Sequence, residues 1–235
     1  ALPIFNGSVL TTMPIVNITD LGGNIITGTS YTVTAAVDYA NSPAACTQAT
    51  CITLNGGPVS QSTSCSGFRC TPVANGIATF VGSSLAVQGL TGTYQLQFNS
   101  SGLLSATSAP FTLTAGPDAA LAVTTSTVTA VNGQTLPAIA VKVVDAQGNQ
   151  TNSTVQVNAS VLGISPTGTK SVVATAGWAT FNNLVFTGTA GTYTITFSTT
   201  TGLAQVSVTV TLTAGAEAKL VLKTAPLSYA ASGTP

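Results

Sequence analysis

Histidine is absent from this chain, and charge of either sign is nearly so. Asp, Glu, Lys and Arg make up 4% of 235 residues, against about 25% in an ordinary soluble domain. The cations are Arg69, Lys142, Lys170, Lys219 and Lys223, and the anions are Asp20, Asp38, Asp118, Asp145 and Glu217. They cancel, and no cluster exists to steer nucleic acid or anionic lipid, so no nucleic-acid partner is expected. Without His, the usual base for a Ser or Cys nucleophile is missing. The carboxylates are scattered and no phosphate-binding glycine loop is present, so neither an enzyme nor a cofactor is expected. No apolar run approaches the ~20 residues that span a bilayer, so membrane insertion is not expected either. Ala1-Leu2-Pro3 opens with neither the basic region nor the apolar core of a secretory signal. A mature or excised segment is the expectation.

Hydroxyls take over the polar role, with 22 Ser and 42 Thr. Thr is β-branched and favours strands. Apolar residues reach 44%, which argues against disorder. Strand-rich surfaces with so little charge tend to aggregate. Attached glycans, or a place in an insoluble fibre, would each resolve that.

An internal repeat sets the architecture. Gly76-Ile77-Ala78-Thr79-Phe80 recurs as Gly177-Trp178-Ala179-Thr180-Phe181. Gly92-Thr93-Tyr94-Gln95-Leu96-Gln97-Phe98 recurs as Gly191-Thr192-Tyr193-Thr194-Ile195-Thr196-Phe197. Leu113-Thr114-Ala115-Gly116 recurs as Leu212-Thr213-Ala214-Gly215, and Asp118-Ala119-Ala120-Leu121 matches Glu217-Ala218-Lys219-Leu220. A period near 100 is one β-sandwich, not a solenoid turn. The expected units are 1–115, 116–214, and 215–235 as the first strand of a third. The linkers Ala115-Gly116-Pro117 and Ala214-Gly215-Ala216 are short enough to restrict tilt between neighbours.

Period-two alternation identifies the strands. Val155, Val157, Ala159 and Val161 alternate with Gln156, Asn158 and Ser160. Tyr193, Ile195 and Phe197 alternate with threonines, as do Val206, Val208, Val210 and Leu212 with Ser and Thr. About seven such strands with regular turn signals predict an antiparallel sandwich. Tyr94 and Tyr193 sit where a sandwich enters its penultimate strand, the place of a tyrosine corner.

The strings Val143-Val144-Asp145-Ala146-Gln147-Gly148-Asn149, Trp178-Ala179-Thr180-Phe181 and Ala190-Gly191-Thr192-Tyr193-Thr194-Ile195-Thr196-Phe197 resemble tandem immunoglobulin-like repeats of very large surface proteins. Bacterial adhesins and algal mastigoneme proteins carry similar repeats, and filamin-type repeats share the pattern. The resemblance covers the second unit and residues 73–116 of the first. It implies an all-β fold of tandem immunoglobulin-like antiparallel β-sandwiches, extracellular or cell-surface placement, and a role as spacer, adhesin or filament subunit. Residues 42–72 fit poorly and read as an insertion.

That insertion carries Cys46, Cys51, Cys65 and Cys70. Four cysteines in a secreted-looking sandwich read as two disulfides. Local pairing (46–51, 65–70), nested pairing (46–70, 51–65) and the third, interleaved pairing all remain open. The spacing does not fit the usual Cys-x2-Cys zinc pairs, so no metal is expected. Asn-x-Ser/Thr occurs at Asn6, Asn17, Asn99, Asn149, Asn152 and Asn158, each a candidate for N-glycosylation. Asp145-Ala146-Gln147-Gly148-Asn149 reads as a turn rather than a calcium site, with Asp38-Tyr39-Ala40-Asn41 as its relative in the first unit. Trp178 with the aromatics at 39, 68 and 186 suggests a sugar-stacking platform, but its repeat partner Ile77 favours a core role.

The function expected from these features is a structural subunit of an extracellular filament or surface assembly, glycosylated and self-associating with copies of itself. An adhesin stalk or carbohydrate-binding spacer is the alternative, and an accessory module of a polysaccharide-degrading enzyme is a third reading.

Overall fold

The computed structural model describes residues 3–28, 30–38, 52–55, 70–81 and 84–224. Cys46, Cys51 and Cys65 therefore lie outside the described residues. Cys70 is placed only through its backbone in a strand.

The first sandwich contains β1 (Ile4–Phe5), β2 (Ile15–Asn17), β3 (Thr32–Val37), β4 (Ile52–Asn55), β5 (Cys70–Pro72), β6 (Ile77–Thr79), β7 (Ala86–Gly89), β8 (Gly92–Tyr94), β9 (Leu96–Asn99), β10 (Ala106–Thr107) and β11 (Phe111–Thr114). The second contains β12 (Ala120–Val123), β13 (Thr127–Val131), β14 (Ile139–Val144), β15 (Gln156–Val161), β16 (Ser171–Val173), β17 (Trp178–Phe181), β18 (Gly191–Thr199) and β19 (Val206–Thr213). One sheet of the second runs β12-β14-β17 and faces β13-β19-β18-β15-β16. Every pairing is antiparallel except β13 with β19. The first sandwich repeats this order with β2-β6 on one side and β1-β11-β8 and β10-β9-β3-β5 on the other. Its parallel pair is β1 with β11.

The expected alternation is the observed burial. Val157, Ala159, Ile195, Phe197, Val208, Val210 and Leu212 point into one core with Phe181 and Phe186. Phe80, Phe98, Tyr94, Leu54 and Leu113 belong to the other. The Phe181–Phe197 rings lie 5.0 Å apart, tilted by 49°. Phe80 and Phe98 repeat the contact at 5.7 Å and 51°. Each fully buried ring or aliphatic side chain contributes roughly 1.5–3 kcal/mol.

The extra chain in the first sandwich replaces the short β15–β16 connection. Residues 38–69 join β3 to β5, whereas 162–170 join β15 to β16. The segment is not wholly peripheral. Its strand β4 pairs with β7, and Ile52 and Leu54 are buried in the core. The expected insertion at 42–72 thus contains one core strand. Among the described residues 215–224 form no strand, and Leu220, Val221 and Leu222 are exposed; the remainder of the expected third unit, 225–235, lies outside the described residues.

The recurring Gly-x-Ala-Thr-Phe has a backbone cause. Asn75-Gly76 and Ala176-Gly177 are the central residues of two-residue hairpins closed by Ala74↔Ile77 and Thr175↔Trp178. All four have positive φ, at 50°, 76°, 48° and 80°. That is a type I′ turn, for which Asn-Gly is the favoured pair. Ala176 has no side-chain group to offset its left-handed conformation. Ala176→Asn is expected to stabilise the second sandwich by ~1 kcal/mol, read as a higher denaturant midpoint with an unchanged slope.

Candidate functional site

Three of the buried polar residues among the described residues, Asn6, Asp145 and Asn149, gather where the two sandwiches meet. Asp145, at the end of β14, turns the chain back on itself. Its Oδ1 accepts hydrogen bonds from the N–H groups of Gln147 and Asn149, both at 2.9 Å. Gly148, at φ 81°, supplies the left-handed residue that closes the turn. The Asp145 side chain is 2% exposed and Asn149 7%, so this surface loop is covered by something else.

The cover is the first sandwich. Asn6 follows β1, and its side chain clasps the turn after β7. Asn6 Oδ1 accepts from Gly89 N at 3.0 Å, and Asn6 Nδ2 donates to Gly89 O. Asp145 Oδ2 accepts from Gly116 N of the linker at 2.9 Å and from Asn6 Nδ2 at 3.3 Å. Asn149 Nδ2 donates to Gly89 O at 2.8 Å and to Asp145 Oδ2 at 3.0 Å. Asn149 Oδ1 accepts from Thr91 N at 3.0 Å. The Asp-x-x-Gly-Asn loop of the second sandwich is a plug. Asn6, Gly89, Thr91 and Gly116 form its socket. Gly116 is needed there, because a Cβ would lie 2.9 Å from Asn6 O.

Burial pushes the Asp145 carboxyl up, but hydrogen bonds from the Asn149 side chain and from the Gly116, Asn149 and Gln147 N–H groups outweigh it. They hold its pKa below 3.8. A carboxylate already filled with N–H donors has no lone pairs left for a cation, so the turn reading of 145–149 holds over the calcium one. Among the described residues no group of three or more Cys, Asp or Glu is placed to hold a metal.

The first sandwich contains the same plug, but not where expected. Asp20-Leu21-Gly22-Gly23-Asn24 repeats the geometry: Asp20 Oδ1 accepts from Gly22 N and Asn24 N, both at 2.9 Å. Asp38, proposed as the relative, instead follows β3 and donates its backbone N–H to Gln95 O. The Asp-x-x-Gly-Asn spacing was present at 20–24. It was hidden because the extra residues at 38–69 stretch the offset to the second unit. Asn6 is a sequon, and it also carries a repeat signal: Asn6-Gly7 recurs as Asn132-Gly133 after β13.

The sequons separate on burial. Asn6 (4% exposed) and Asn149 use both amide atoms within the joint, and a glycan on either is incompatible with it. Asn149 lies at a turn, and that turn is covered by the first sandwich. Asn17 and Asn152 are exposed, while Asn99 and Asn158 are half-buried. Both tyrosine corners form: Tyr94 Oη donates to Leu90 O at 2.8 Å and Tyr193 Oη to Thr189 O at 2.7 Å. Trp178 is half-buried on the outer face, beside Lys142, and Ile77 is 37% exposed, so the core role expected for Trp178 is not observed. The stacking platform loses Phe186, which is fully buried. Tyr39 and Phe68 lie outside the described residues.

Residues 116–216 match the family model described as SMCHD1 Ig-like domain 6. No curated protein matches the sequence. Solved structures that match include domains 4 and 5 of the S-layer protein SbsC, at 19% identity over 69% of this chain and 77% of that one, with a TM-score of 0.32. A teleost fish polymeric Ig receptor ectodomain matches at 10% identity over 92% and 96%, TM-score 0.30. A chimeric titin Z1Z2 tandem matches at 14% over 92% and 95%, TM-score 0.25. Likenesses this distant carry no argument about what the chain binds or builds. The family match and the strand order make this an all-β chain of immunoglobulin-like fold, repeated as two sandwiches.

Proposed function

We propose that the chain is a structural, non-catalytic segment of an extracellular filament or cell-surface assembly. The observation that carries this reading is the joint. A carboxylate and two amides, buried and hydrogen-bonded across the boundary, resist bending between neighbours in a way a bare linker does not. A spacer or load-bearing array needs that resistance. The motif resemblance to large surface and filament proteins supports the same reading, as do the hydroxyl-rich, charge-poor surface and the four cysteines at 46, 51, 65 and 70, proposed to form two disulfides. Self-association with copies of the chain follows from it. The adhesin-stalk alternative shares the joint and differs only in what an array would present.

N-glycans are proposed at Asn17, Asn99, Asn152 and Asn158. Native material should exceed the 23.2 kDa of the bare polypeptide, with the added mass localised by fragmentation to those four asparagine side chains and absent from Asn6 and Asn149. A bare mass would remove the glycans from the account. The placement itself is tested by immunogold labelling of intact, unpermeabilised source cells with antibody to this chain. Gold on surface filaments or wall is expected. Label found only after permeabilisation would overturn the extracellular reading.

A further inference from the structure

Beside the joint lies a cleft of about 690 Å³, walled by Pro3, Phe5 and Thr114 of the first sandwich and by Asp118, Asn152 and Ser153 of the second. It is continuous with the joint, since Thr91 and Gly116 of the socket also line it. Phe5 is 59% exposed there. Ile4 packs against the core and Asn6 turns into the joint, so strand alternation sends Phe5 outward. That exposure belongs to the fold. β1 runs parallel to β11 and so toward the linker, which puts the residues before Pro3 on the side away from the joint. In the second sandwich Val131 precedes Asn132 as Phe5 precedes Asn6, and Val131 is 44% exposed with residues 84–130 in place before it.

The opposite wall carries the sequon Asn152-Ser153-Thr154. Asn152 and Thr154 are exposed, in a stretch of no regular secondary structure. Ser153 Oγ donates to Asp118 Oδ2 and accepts from Val155 N at 3.2 Å, which fixes the sequon beside the linker. Asn17, Asn99 and Asn158 instead lie on β2, β9 and β15, each within one sandwich. Asp118 is the one charged residue of the lining, and the other polar side chains there are hydroxyls and amides. An apolar ring facing such groups suits a neutral, hydroxyl-bearing occupant.

We propose that the glycan on Asn152 is a structural part of the joint, with its first sugars in this cleft and the C–H face of a pyranose on the Phe5 ring. The inference rests on the glycosylation proposed above and says what one of those glycans does. The sugars come from a diphosphate-linked oligosaccharide donor. Asn152 Nδ2 bonds to the anomeric carbon and loses a proton, and the bond from that carbon to the diphosphate breaks. The tether decides the occupant. One exposed ring holds a free sugar weakly, but a sugar attached at the cleft wall stands at an effective concentration of about millimolar or above. Anchored on the second sandwich and resting on the first, the glycan braces the joint from outside.

The test uses the whole chain secreted from eukaryotic cells, as wild type, Phe5→Ala, Asn152→Gln and the double variant. Phe5 is exposed, so its truncation leaves the core intact. Hydrogen exchange at Gly116 N–H, which donates to Asp145 across the joint, reads joint opening. Exchange should quicken about fivefold in Asn152→Gln. It should quicken as much in Phe5→Ala with the glycan still attached, and no further in the double variant. Nuclear Overhauser contacts between the Phe5 ring and the first sugar are expected in the wild type. Unchanged exchange in Phe5→Ala, additive effects in the double variant, or a bare Asn152 on native material would overturn the proposal. A bare Asn152 beside glycans at Asn17, Asn99 and Asn158 would sink this inference alone, whereas a chain without any glycan would remove the glycosylation reading with it.

Discussion

Asp145→Ala should release the two sandwiches from one another and cost the protein roughly 3 kcal/mol. The substitution takes the acceptor from Gly116 N, Gln147 N and Asn149 N and leaves Asn6 Nδ2 and Asn149 Nδ2 with Gly89 O alone. The penalty for stranding buried donors exceeds the net worth of any single hydrogen bond. Small-angle scattering should show a broader distribution of end-to-end distances, while each core keeps its own unfolding transition. Acid should do part of the same work. The native pKa lies below the ordinary 3.8, so the carboxylate stabilises the folded joint fully above that ordinary value. The contribution fades only as pH falls through the depressed native one. Asp145→Asn should remove this acid dependence along with most of the stabilisation.

Gly177→Ala is expected to destabilise the second sandwich by about 3 kcal/mol. Gly177 sits at φ 80°, where an L side chain is strained, and a Cβ there would press into the backbone carbonyl of Thr151 well inside contact distance. Backbone on both sides leaves no flexible side chain to yield. Thr151 O belongs to the segment just after the Asp145 plug, so the lesion should also loosen the joint. Gly76 stands in the same relation to Ile26 O, and Gly76→Ala should do comparable damage to the first sandwich. Chemical denaturation followed by Trp178 fluorescence reads the first substitution, and far-UV circular dichroism reads both. A change below about 1 kcal/mol at either site would mean the hairpin relaxes more easily than its geometry suggests.

The fold was legible because its determinants are local. Alternation along 206–212, the Gly-Thr-Tyr corner and the Gly-x-Ala-Thr-Phe hairpin each lie within a few residues, and each repeats near a period of 100. The joint was half legible. Asp145 to Asn149 announces a turn, since Asp and Asn bond nearby backbone and Gly accepts a left-handed φ. Nothing local says that Asp145 Oδ2 faces Asn6, 139 residues away. Asn6 and Asn149 carried a second, louder signal as sequons, and burial is the physical reason that signal misleads. The Asp20 loop escaped notice because residues 38–69 break the register between the two units. The Trp178 reading failed for a different reason. A repeat position shared with Ile77 fixes only that the two side chains point the same way, and both point outward.

The central claim is that the Asp145–Asn149 plug holds the two sandwiches in one orientation. Residual dipolar couplings measured on the whole chain test this directly, because each sandwich reports its own alignment. The account predicts a single alignment tensor fitting the described residues of the first sandwich and residues 118–213 together, and two distinct tensors in Asp145→Ala. Two independent tensors in the wild-type protein would contradict it.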